Sequence, residues 1–196
     1  MKDLILLFML LFLLSCKNQN TEEKTIGSVN NSEQDQNDVF GNWEKHKIKN
    51  VSFQLPEELK VQSSFSTSNK TMYARDNSSL MLIIYFDTLK PEYLNKNIYQ
   101  VIDDIDQLGK DIHLEHKQIN NDLELISTEK IKIGNVNSIR VTESSFDLLG
   151  MNNLILTKSH LCISEPYLFK ISIVYSANSS SDEQLMNEVL SSFNFK

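Results

Sequence analysis

The sequence is short of several things that common functions need. Of its 19 basic residues only two, Arg75 and Arg140, are arginine, and the formal net charge is -7. Nucleic-acid binding sets cations, above all forked guanidinium groups, against phosphates, so this balance excludes it. Five glycines leave no G-x-G-x-x-G, G-x-x-x-x-G-K or G-x-S-x-G, and H-E-x-x-H is absent as well. Dinucleotide, nucleotide, acyl-transfer and metalloprotease chemistry lose their usual sequence support, and neither an enzyme nor a cofactor is expected. The longest apolar run, residues 4–14, would rise only about 16 Å as a helix, roughly half the hydrocarbon thickness of a bilayer. It is too short to span. What remains is 40% hydrophobic and 23% charged over 196 residues, enough for one packed domain and hardly for two.

That apolar run follows Met1-Lys2-Asp3 and ends at Ser15-Cys16, which reads as the h-region of an export signal. Leu13-Leu14-Ser15-Cys16 resembles a bacterial lipobox. The resemblance implies a signal peptide over residues 1–15, cleavage before Cys16, a thioether-linked diacylglycerol on its sulfur and an acylated new amino terminus. Several acyl chains, at about 0.8 kcal/mol per buried methylene, make such an anchor effectively permanent. Cys16 would then be lost to disulfide chemistry and Cys162 left alone. Lys17 is not the aspartate associated with inner-membrane retention in enteric bacteria, which leans towards the outer membrane.

Residues 16–38 are mostly Asn, Gln, Ser, Glu, Asp and Thr, with Ile26 and Val29 the only bulky aliphatics. Such a stretch cannot bury enough apolar area to offset its ordering entropy, so it is expected to be a flexible tether with an r.m.s. span of roughly 25 Å. Two lysines against five acids give it a net charge of -3, leaving -4 for residues 39–196. The partners expected are thus the lipid bilayer through acylated Cys16, and an envelope protein or extracellular ligand, with no nucleic acid.

Residues 39–196 read as one α+β domain. Strand patterns cover 51–55, 59–65, 71–75, 80–86, 123–133, 136–144, 154–163 and 167–175. Ile133-Gly134-Asn135-Val136 predicts a hairpin in which glycine takes a positive φ, and Ser164-Glu165-Pro166 predicts a second. Helical periodicity starts at Pro91 and runs through Leu94, Ile98, Val101, Ile102, Ile105 and Leu108 to a stop at Gly109. A second helix is expected over 181–193, with Ser180 and Glu183 as its capping box. Phe40 and Trp43 are expected to fasten the end of the tether to the core.

Phe53-Gln54-Leu55-Pro56, a long helix after the central strand, a run of hairpins and the ending Ser192-Phe193-Asn194-Phe195 resemble the PsbP/Mog1/DcrB-like superfamily over about residues 45–196. The resemblance implies an antiparallel β-sheet flanked by helices in a layered α/β/α sandwich, used for docking to partners and usually without catalytic residues.

Candidate chemistry is sparse. The run Asp104 to Glu115 matches a calcium loop at its first, third, sixth and twelfth positions, but Leu108 stands where an oxygen ligand is needed, so a solvated acidic helix end is expected. His113 and His116, with Asp111 or Glu115, are the metal-ligand candidates, although two imidazoles without a third ligand at a definite spacing are as well explained by ordinary histidines. His160 and Cys162 share one face of a strand, where Cys162 is expected to be an unreactive core thiol. The leading expectation is a non-catalytic, membrane-anchored lipoprotein with a binding or adaptor domain. The alternatives are a small-ligand or metal-ion carrier and, more distantly, a cryptic hydrolase.

Overall fold

Period-two alternation and abundant β-branched residues favour strands, and among the described residues ten form, every one paired antiparallel. The computed structural model describes residues 43–146 and 154–196. The expected leader, Cys16, the tether and Phe40 lie outside the described residues. The strands are β1 (Trp43–Ile48), β2 (Val51–Pro56), β3 (Lys60–Val61), β4 (Lys70–Ala74), β5 (Met81–Thr88), β6 (Glu124–Ile133), β7 (Val136–Phe146), β8 (Leu154–Ser164), β9 (Tyr167–Ser176) and β10 (Asn194–Phe195). The helices are α1 (Ile98–Val101), α2 (Ile105–Lys117) and α3 (Ser180–Ser191). One sheet has the order β3-β4-β5-β9-β8-β7-β6 and the other β1-β2-β10. This is the expected α+β class, an antiparallel sheet with helices on both sides.

The large sheet buries both faces by different means. On one face Leu82, Ile84, Phe169, Ile171 and Ile173 meet Val51, Phe53 and Leu55 of β2 and Met186 and Val189 of α3 in one apolar cluster. Phe53 stacks on Phe193 with ring centroids 4.7 Å apart, and Phe169 meets Phe195 edge-on at 6.1 Å. Each such side chain contributes about 1.5–3 kcal/mol by burial, which makes this face the main source of stability. Trp43 opens β1 and packs against the same cluster. On the opposite face α1 and α2 lie across β6, β7 and β8.

Both predicted hairpins form. Gly134 turns β6 into β7 at φ 51°, and a side chain there would collide with the Phe193 carbonyl. Glu165 and Pro166, joined by a cis peptide, turn β8 into β9.

Two helix expectations are corrected. The single helix over 91–109 is instead a 3-10 turn at Pro91–Tyr93, then α1, then α2. Asn95 takes a left-handed φ of 62°, and Asn97 forms a capping box in which its side chain accepts from the Tyr99 amide while Gln100 accepts from the Asn97 amide. Asp104 caps again, its Oδ1 accepting from the Gln107 amide at 2.9 Å. Side chains that satisfy the orphan N–H groups of a helix start end one helix and begin another, although the apolar spacing continues across the break. Gly109 is therefore no stop, and the calcium-like run has no loop, since Ile105 onward is helical. The last helix starts one residue early, with Ser179 as cap; Asp182 occupies the third position and its carboxylate is taken by Arg75 at 2.6 Å. The expected strand over 59–65 shrinks to β3 and a 3-10 turn at Ser63–Phe65.

Gly109 sits inside α2, where a Cβ would fall far inside contact distance of Thr128 Oγ1 on β6. Glycine in a helix interior usually costs up to about 1 kcal/mol relative to alanine. Here the sign is expected to reverse: Gly109→Ala should lose about 1–3 kcal/mol in chemical denaturation through overpacking, and adding Thr128→Ala should restore part of it.

Candidate functional site

Helix α2 buries Leu108 and Ile112, and the close approach at Gly109 lets its axis settle low over β6 and β7. Its last two turns then present His113 and His116, three residues apart and so on one side, to a carboxylate beneath. That carboxylate is Glu143 of β7, whose side chain is 0% exposed. Its Oε1 lies 3.0 Å from His113 Nδ1 and its Oε2 2.6 Å from His116 Nδ1. The other ring nitrogen of His116, Nε2, is 2.8 Å from Nζ of Lys170, a buried residue of β9. Beside them the Ser159 and Ser172 hydroxyls bond each other at 2.9 Å. A polar seam thus crosses a buried sheet face.

The register explains why a histidine is required in the middle. Residues paired across strands share a face, so Glu143 stands in the row of Thr157 and Val174, while Lys170 stands in the row of Ile139 and Leu161. Four residues along β7 and two strands across separate these rows, a Cα distance of roughly 16 Å by strand geometry. The two charges cannot touch, and the His116 ring fills the gap.

Burial pushes the Glu143 carboxyl up, but hydrogen bonds and charge from His116, and then from His113, outweigh it and hold the group below the usual carboxylate value. Burial pulls the Lys170 ammonium down to about 8, against the attraction of Glu143 and Glu115. Burial raises the Glu115 carboxyl, Lys170 lowers it and Asp111 raises it further. An ammonium only donates, so with Lys170 charged His116 Nε2 is an acceptor and its Nδ1–H donates to Glu143. The chain Lys170–His116–Glu143–His113 can hold and relocate protons.

The expected metal candidates are only partly assembled. His113 and His116 converge, but on Glu143, while Asp111 accepts from Gln107 Nε2 at 2.8 Å. Among the described residues no group of three His, Cys, Asp or Glu has the spacing to hold a metal ion. Glu143 and Lys170 escaped the sequence reading. The signal for them was a charge in phase with buried neighbours: Glu143 follows Ile139 and Val141 at period two, and Lys170 interrupts Phe169 and Ile171.

On the other sheet face His160 is fully buried and paired in register with Arg140, and burial, then Arg140 and Lys158, pull it down to about 3. The imidazole is neutral and neither ring nitrogen has a hydrogen-bond partner among the described residues. Cys162 is fully buried in the apolar cluster and its thiol is pushed up by burial, as suits an unreactive core residue.

A second feature is apolar. Leu114, Ile119, Ile126 and Phe146 are 60%, 71%, 55% and 69% exposed. They come from the end of α2, its connection to β6, the start of β6 and the end of β7, elements that meet at one end of the large sheet, where Glu124 pairs with Ser144. A bulge between Leu125 and Ser127 leaves Ile126 without a cross-strand partner.

Among solved structures the chain is similar to cyanobacterial PsbP (CyanoP) from Synechocystis sp. PCC 6803, with a TM-score of 0.58 and 12% identity over 84% of this chain and 98% of that one. It is similar to the Saccharomyces cerevisiae Ran-binding protein Mog1p, with a TM-score of 0.50 and 10% identity over 79% of this chain and 95% of that one. A Bacteroides thetaiotaomicron protein matches 75% of this chain at 11% identity and a TM-score of 0.48, and there the match spans 45% of the longer partner. No protein-family model and no curated protein matches. The likeness establishes a PsbP/Mog1-like fold.

Lys170 gives the polar seam a measurable signature. A lysine depressed from 10.5 to about 8 in the folded state makes folding more favourable as pH rises from about 8 to 10.5, because the buried ammonium is relieved of its charge there. Wild type should gain up to roughly 3 kcal/mol over that window relative to Lys170→Met, read from urea denaturation at stepped pH. Parallel pH profiles for the two proteins would contradict a depressed Lys170.

Proposed function

We propose that the chain is a bacterial lipoprotein, anchored through acylated Cys16 and probing the cell envelope with a non-catalytic docking domain at residues 39–196. The observation that carries the docking half is that Leu114, Ile119, Ile126 and Phe146, on elements that meet at one end of the large sheet, are each more than half exposed. Single exposed apolar side chains are ordinary, but four large ones around one end of the sheet are more than a surface of this size needs to leave uncovered. At about 1.5–3 kcal/mol each on full burial, they suffice for the core of a modest interface. The PsbP/Mog1-like fold supports the reading by analogy of architecture alone.

The anchoring half rests on Leu13-Leu14-Ser15-Cys16 at the end of an eleven-residue apolar run. Among the described residues no helix is long and apolar enough to cross a membrane, so a covalent lipid is the attachment this reading requires. The partner is an envelope protein or an extracellular ligand, and Lys17 favours the outer membrane.

In a bacterial host the wild-type protein should partition into detergent and release an amino-terminal peptide carrying a diacylglyceryl cysteine, while Cys16→Ser should do neither. An intact leader or an unmodified thiol at the mature start would sink the anchor. Photo-cross-linkers at Ile119, Ile126 and Phe146 should trap one common partner, while Val61, equally apolar and 51% exposed on β3, should not. Equal trapping at Val61 would sink the docking face.

A further inference from the structure

We propose that helix α2 is a proton-released element: acidification breaks the Lys170–His116 contact, frees the end of α2 from the sheet and thereby reshapes the apolar docking end. The effect on docking rests on the function proposed above; the movement of the helix does not.

The geometry allows the contact only one proton. Lys170 Nζ stands 2.8 Å from His116 Nε2, and the opposite ring nitrogen is committed to Glu143 at 2.6 Å. A charged lysine needs a lone pair at Nε2. Protonating the ring places an N–H there instead, so that two cations meet on a buried face. His113 makes no such conflict, since its added proton only strengthens the bond to Glu143 Oε1.

The surroundings amplify the effect. From α2 the seam is faced by Asp111, His113, Glu115 and His116. β7 contributes Glu143 and β9 contributes Lys170; β5 places Tyr85 directly across from Lys170. On this face β8 offers Thr157, Ser159 and Leu161, none of which titrates, and β6 offers Lys130, whose ammonium sits 5.3 Å from the centre of the Tyr99 ring of α1. Burial raises the Glu115 carboxyl, so the negative charge it turns toward Lys170 is lost earlier on acidification than an exposed glutamate's, while a proton added to His116 brings a second positive charge beside Lys170.

The fold gives this repulsion a defined outlet. α2 buries few residues, the side chains of Leu108 and Ile112 and the backbone of Gly109. α3, by contrast, sits in the aromatic cluster through Met186 and Val189. Leu114 lies on α2 and Ile119 just beyond it, so the element that moves carries half of the exposed apolar set.

Hydrogen exchange of the intact protein at about pH 5 and about pH 7.5, corrected for intrinsic rates, reads the opening directly. Peptides covering Ile105–Lys117 should exchange about tenfold faster at the lower pH, while peptides from β9 and Ser180–Ser191 stay protected. His116→Gln keeps a donor for Glu143 and an acceptor for Lys170 but cannot take the extra proton, so its α2 should show no acid response. Lys170→Met removes the opposing cation and should also abolish it. An unchanged rate at α2, an equal response in His116→Gln, or simultaneous loss of protection in β9 would each overturn the proposal. Cross-linking at Ile119 under the same two conditions is a separate readout: it should change with pH if the docking reading holds, and a constant yield beside a moving helix would count against docking alone.

Discussion

A carboxylate and an ammonium buried on the same sheet face, too far apart to meet, form the constraint on which one side of this domain is organised. Isolated, either charge would cost several kcal/mol to bury. Glu143 receives two imidazoles and Lys170 meets the back of one of them, so the pair is joined through a ring. The ring has to arrive at a fixed height and angle. Asp104 starts α2 at the right residue, and Gly109 removes the side chain that would hold the helix away from β6. Two features that look unrelated in sequence therefore serve one contact.

The opposite face solves its burial without charge. Phe53, Phe169, Phe193 and Phe195 interlock between two sheets, and α3 closes the layer. Charges near that face are paired, Arg75 with the buried Asp182 at 2.6 Å and the largely buried Lys158 with Glu183 at 2.7 Å. The domain thus has one face packed by apolar and aromatic side chains with the neutral His160 among them, and one whose helix is hung from four titratable groups.

Much of the architecture was legible because strand patterns are local. The hairpins at Gly134 and Pro166 and the apolar stripes of β5 and β9 depend on residues close in sequence, and the PsbP/Mog1-like layering was implied by the family resemblance. The helix boundaries were less legible. Apolar spacing from Leu94 to Leu108 runs through Asn97 and Asp104 without a mark, since a cap acts on backbone amides and leaves hydrophobic periodicity unchanged. Gly109 was misread for the same kind of reason: its role depends on Thr128, nineteen residues away on a strand.

The candidate site divides along the same line. His113 and His116 stood out by their spacing, which places two imidazoles on one side of any helix that contains them. What they serve was invisible, because Glu143 and Lys170 reach them through strand register, and a register shift of one residue would turn both to the other face. Sequence alone determined the composition, the apolar run that ends at Cys16, and most of the strands and hairpin turns, all properties of neighbours along the chain. Tertiary structure alone decided which buried charges share a face and which helix is hung from them, because those distances exist only once the strands are side by side.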